Sequence, residues 1–68
     1  MWIIQADVKG LTYWVQVIGD DVRLNGLKDN AACYPDHSQA ISAARVYKDR
    51  FPVELEVVHK ETHVMRTA

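Results

Sequence analysis

Two short turns, Lys9-Gly10 and Gly19-Asp20, constrain this chain more than any other feature, because each admits one strand register. Residues 2–8 and 11–18 carry apolar side chains at every second position, as half-buried strands do. A two-residue Lys9-Gly10 turn sets Val8 against Leu11, Ala6 against Tyr13, Ile4 against Val15 and Trp2 against Val17, all on one face. A three-residue loop would set Asp7 against Leu11 and break the pattern. Gly19 in the first central position suits a type II′ turn, which brings Val22 opposite Val17 and Leu24 opposite Val15 on that same face. Two hairpins that agree predict an antiparallel three-stranded meander with one apolar face.

That face needs a cover, and Asp36–Phe51 supplies one. At 100° per residue, Ala40, Ala43, Ala44, Tyr47 and Phe51 share one side of a helix, with Ile41 on its flank. Ser38, Ser42, Arg45 and Asp49 point the other way. Asp36 stands where an N-cap is wanted, with Gln39 as its capping-box partner. Lys48 and Arg50 suit the negative end of the helix dipole, and Pro52 ends the element. Val53, Leu55 and Val57 then alternate with Glu54 and Glu56 as a last half-buried strand. Between meander and helix, Asn25-Gly26 reads as a turn, Leu27 tucks inward, Lys28-Asp29-Asn30 is solvated, and Ala31–Tyr34 forms a short extended piece along an edge. The order is β-β-β-α-β. It predicts a two-layer α+β fold in one domain over residues 1–68: an antiparallel meander covered by one helix. The last strand should lie parallel to the first through a right-handed crossover, in spatial order 3-2-1-4, with a place beside the third strand as the alternative. Residues 61–68 read as a strand extension or a frayed tail.

Sixty-eight residues lie near the lower limit for a self-sufficient core, so modest stability or a dimer partner is expected. Eight basic and nine acidic residues give a net charge of −1, which argues against a strongly basic nucleic-acid binder and against a polyanionic mimic. One cysteine forms no internal disulfide. A strand pattern that begins at Trp2 leaves no room for a signal peptide, and no apolar run approaches spanning length, so a soluble cytoplasmic protein is expected.

Cys33-x3-His37 and His59-x3-His63 supply four nominal zinc ligands. Residues four apart on a strand are separated by about 13 Å, so both pairs need backbone bends that nothing in the sequence justifies. The expectation is therefore no metal and no cofactor, with a small buried thiol and solvated histidines. Cys33 beside His37 has neither an orienting third group nor an oxyanion hole, and no glycine-rich phosphate loop is present. Glu54 and Glu56 share a strand face and read as charges that discourage aggregation. The chain is not expected to be an enzyme.

The second sheet face is more informative. It carries Ile3, Gln5, Asp7, Thr12, Trp14, Gln16, Ile18, Asp21 and Arg23. Trp14 falls between Gln5 and Asn25, and Arg23 lies opposite Gln16, diagonal to Trp14 and within cation–π reach. Ile3, Gln5, Trp14, Gln16 and Arg23 are the candidate binding residues, an aromatic core with a polar rim. Trp14 should be much more exposed than Val15. The competing reading has Trp14 stiffening the meander or lying under the C-terminal tail.

Trp2-Ile3-Ile4, Ala32-Cys33-Tyr34-Pro35, Gln39-Ala40 and the run Phe51-Pro52-Val53-Glu54-Leu55-Glu56-Val57 together resemble small uncharacterised phage and prophage proteins. That resemblance implies an accessory factor that binds and modulates or inhibits a larger host or defence complex, and it carries over no functional residue. The function expected is a non-catalytic protein-binding module acting through the face around Trp14. Two alternatives use the same face: a single-stranded nucleic-acid binder stacking a base on Trp14, or a homodimer in which the patch is structural.

Overall fold

The computed structural model describes residues 1–60, so the reading of 61–68 lies outside the described residues. Three strands open the chain: β1 (Trp2–Val8), β2 (Leu11–Ile18) and β3 (Asp21–Asn25). A 3-10 turn, Lys28–Asn30, precedes α1 (His37–Tyr47), and β4 (Glu54–His59) follows the helix. The strands form one sheet in the order β3-β2-β1-β4, and with α1 they make an α+β fold among the described residues.

Both turns have the expected length. Lys9 and Gly10 take φ of 52° and 84°, the two positive values of a type I′ turn, and Gly19 takes 60°. The hairpin registers follow: Val8 faces Leu11, Ala6 faces Tyr13, Val15 faces Leu24 and Val17 faces Val22. The first ladder stops early, however. Its last pair is Gln5 with Trp14, and the expected pairs Ile4–Val15 and Trp2–Val17 do not form. Beyond that point a third segment enters the gap. Ala32 N–H donates to the Val15 carbonyl at 2.9 Å, while Trp2 and Tyr34 exchange two backbone bonds of 2.8 Å each. Ala31–Tyr34 is thus a wedge between β1 and β2 rather than a piece along an edge.

The wedge also corrects the direction of the last strand. β4 pairs antiparallel with β1, from Trp2–His59 to Asp7–Glu54, where a parallel strand was expected. Ala32–Tyr34 runs antiparallel to β1, which adds one reversal and returns the chain to the Trp2 end before α1 begins. The helix then descends toward Asp7, and β4 must climb back. No parallel crossover arises.

Core packing follows from that path. Ile4, Ala6, Val15 and Ala40 are fully buried, and Ala31 is 7 % exposed. α1 lies over β1 and β4, where its small Ala40 admits close approach, and the 3-10 turn lies against β2. The Trp2 indole meets the His37 ring edge-on at 4.4 Å, while the Tyr34 hydroxyl lies near that of Tyr47. Burial pushes the Tyr34 hydroxyl well above its ordinary titration range, and Tyr47 adds to that effect. Trp2, Tyr13, Val22, Leu24, Ala44, Tyr47 and Phe51 are half-buried on this side. Val17, expected in the core, is 37 % exposed, since the wedge displaces it from β1. The helix ends at Tyr47, short of Phe51; a further turn is held by Arg50 and Phe51 N–H groups on the Tyr47 carbonyl. Asp36 occupies the N-cap position without a side-chain cap bond, so the capping box with Gln39 does not form.

Candidate functional site

The sheet face opposite the helix is built by the same alternation that builds the core, and the Ala31–Tyr34 wedge divides it. Along β1, Ile3 is fully buried, Gln5 half-buried and Asp7 exposed. The sequence reading counted Ile3 among open binding residues; the structure encloses it, next to its β4 partner Val58. Ile3 therefore belongs to the scaffold. An apolar residue with no exposed surface offers nothing to a partner.

Trp14 stands in the last β1–β2 pair, with Gln5 on one side and Asn25 on the other, as the register required. It is half-buried where Val15 is fully buried, in the expected order. Its indole N–H is enclosed and has no hydrogen-bond partner. Such a donor costs about 1–3 kcal/mol when shut away from water.

Polar neighbours of Trp14 are paired among themselves. Asn25 Nδ2 donates to Gln16 Oε1 at 3.0 Å, and Asn25 Oδ1 accepts from the Leu27 N–H at 2.7 Å. Arg23 forms an ion pair with Asp21, two residues back on the same strand and face, and it makes no cation–π contact with Trp14. A carboxylate within reach holds a guanidinium more strongly than an aromatic face does at an exposed site.

Three carboxylates extend the face toward β4. Asp7 sits directly opposite Glu54, and Glu56 sits opposite Gln5. All three are exposed, and among the described residues none has an ion pair or side-chain hydrogen bond. Like charges in directly opposed positions destabilise a sheet, so this cluster is retained at a cost to folding. An open groove of about 1030 Å³ reaches these residues; Ile41, Arg45 and Lys48 line it from α1, and Leu55 and Val57 from β4.

The candidate metal ligands are partly drawn together, in a way the spacing did not foretell. His37 and His59 both pack edge-on against Trp2, at 4.4 and 4.7 Å. Cys33 is exposed rather than buried; its thiol lies 3.6 Å from the Ala31 carbonyl and 3.7 Å from Lys60 Nζ. Among the described residues no group of three or more His, Cys, Asp or Glu could hold a metal ion, and His63 lies outside them. Cys33 and His37 do not form a hydrogen-bonded pair.

The fold defines a small α+β domain with an aromatic-centred sheet face and an acidic row beside it. Comparison with known proteins adds no name to that description: no protein-family model, curated protein or solved structure matches the chain. Among the described residues, no helix is long and apolar enough to cross a membrane.

Proposed function

We propose that this chain is a non-catalytic protein-binding module whose partner meets the sheet face of Gln5, Trp14, Gln16 and Arg23. The observation that carries the reading is a half-buried tryptophan at the centre of a polar ring, on the face away from the helix. Aromatic anchors inside polar rims concentrate binding energy in protein interfaces. The resemblance to small phage proteins gives the reading its biological form, a modulator or inhibitor of a larger host or defence complex in the cytoplasm. Single-stranded nucleic acid is disfavoured, because Arg23 is committed to Asp21 and the face bears Asp7, Glu54 and Glu56. No catalytic role is assigned: among the described residues the thiol of Cys33 has an ammonium and a carbonyl at hydrogen-bond range and no base there.

The test uses a photo-crosslinking amino acid at Gln16, with Asp49 on the exposed end of the helix turn as the control position. In lysate of the native cell, treated with nuclease, the Gln16 probe should capture a discrete protein that untagged chain competes away. Trp14→Ala should weaken that capture by tenfold or more, on the order of a hot-spot residue. Equal crosslinking from both positions would refute the assignment to this face. Capture of the chain by itself would favour the homodimer.

A further inference from the structure

We infer that the outer edge of β4, with α1 beside it, accepts one extended peptide in which basic and apolar residues alternate; this goes beyond the reading based on the Trp14 face and uses a different surface. The argument begins with hydrogen-bond direction. Trp2 spends its backbone N–H and C=O on Tyr34, which lies on the β2 side of β1. In an antiparallel ladder these groups alternate in direction, so Ile3, Gln5 and Asp7 turn theirs toward Val58, Glu56 and Glu54. The intervening residues of β4, Leu55 and Val57, must then aim N–H and C=O away from the sheet. Neither residue has another backbone partner. β4 is thus an edge with an open row of donors and acceptors.

Natural edges are usually guarded by proline, a bulge or covering chain. β4 contains no proline, and its register with β1 runs unbroken over all six pairs. Among the described residues, Glu54 and Glu56 guard it, and they also select. A second copy pairing antiparallel about Leu55 or Glu56 would set glutamate against glutamate, which is repulsive. A strand with lysine or arginine at alternate positions would instead meet Glu54 and Glu56, with Asp7 behind them, none of which has a cation partner. Its other residues would fall beside Leu55 and Val57, at the groove that Ile41 lines from the helix. Strand addition of this kind takes affinity from the main chain and specificity from alternate side chains. Arg45 and Lys48 line the same groove from the helix end, so the peptide's cations must lie on the Glu54 and Glu56 side of the strand.

The probe is a fluorescent, end-capped heptapeptide of alternating lysine and valine, with a glutamate–valine peptide as its control. The lysine peptide should bind at least tenfold more tightly, and amide shifts should be largest at Leu55 and Val57. Val57→Pro removes an outward N–H and no bond to β1, so it should retain the fold and lose at least tenfold in affinity. Glu54→Lys with Glu56→Lys leaves the backbone donors in place, guards against misfolding of the proline variant, and should invert the peptide preference. Ser42→Ala, exposed on the helix and outside the groove, should leave peptide binding unchanged, and amide shifts at Leu55 and Val57 rather than at Trp14 and Gln16 separate this proposal from the reading based on the Trp14 face. Equal binding of the two peptides, shifts centred on Trp14 and Gln16, or binding indifferent to both sets of substitutions would overturn it.

Discussion

The two halves of β1 carry the same kind of sequence and meet different fates. From Gln5 to Val8 the strand pairs directly with β2, one face packs inward, and Asp7 stands in solvent on the other. From Trp2 to Ile4 the strand is parted from β2 by the wedge, and both Ile3 and Ile4 are fully buried although they point to opposite faces. The first half obeys simple alternation and the second does not. Alternation describes which side chains share a face; whether that face is covered depends on chain from elsewhere. A surface inferred from strand period alone can therefore be sealed at one end and open at the other, as the face around Trp14 is.

The sharpest way to break this contrast is to shorten one residue from each half on the same face. Ile3→Ala should cost about 2–4 kcal/mol in chemical denaturation, the scale of a large-to-small change in a core. Asp7→Ala should cost almost nothing. Comparable losses would mean that the face is covered evenly and that the division at Gln5–Trp14 is wrong.

Ala32→Pro comes next in expected size. It removes the N–H that meets the Val15 carbonyl, without altering a buried side chain of any bulk. The loss should be about 1–3 kcal/mol, and amide exchange should quicken in Trp2 and Tyr34 more than in Ala6 or Val8. Uniform quickening across β1 would show that the halves unfold as one unit. Smaller still, and of opposite sign, is Asp7→Asn. Relieving the repulsion with Glu54 should stabilise the fold by about 0.2–1 kcal/mol, an effect that added salt should shrink.

The last contrast is with pH. The Tyr34 hydroxyl, raised by burial and by Tyr47, stays protonated in the folded chain where the unfolded chain begins to ionise. Its contribution is complete below the ordinary tyrosine value of about 10 and is lost as pH rises from there toward the folded value. Tyr34→Phe should therefore flatten the alkaline fall in thermal stability while leaving the neutral range almost unchanged. A variant whose alkaline fall matches wild type would remove Tyr34 from the account.

Much of this fold is legible in the residues that fix registers. Lys9-Gly10 and Gly19-Asp20 specify both hairpins, and the alanine side of α1 specifies what covers Ile4 and Ala6. Ala31–Tyr34 was not legible in the same way. Its role depends on backbone bonds to Trp2 and Val15, far away in sequence, and Ala-Ala-Cys-Tyr has no period that reports them. The missed wedge explains two further errors, the direction of β4 and the exposure of Val17. At the candidate site, the pairs of Trp14 with Gln5 and Asn25 were readable from register. The enclosure of Ile3, the choice of Asp21 by Arg23 and the meeting of His37 and His59 on Trp2 were not, since each depends on tertiary distance. The open edge of β4 follows from strand order and hydrogen-bond direction together, and the expected parallel pairing hid it.

Residue-resolved hydrogen exchange on the free chain tests the central claim most directly, that the sheet is closed at the wedge and open along β4. The amides of Trp2, Ala32 and Tyr34 should be protected to a degree approaching that of Ala6, while those of Leu55 and Val57 exchange far faster. Fast exchange at Ala32 and Trp2 would show that the wedge does not hold. Leu55 and Val57 as slow as Ala6 would show that the edge already has a partner, and the account of an open binding strand would be contradicted.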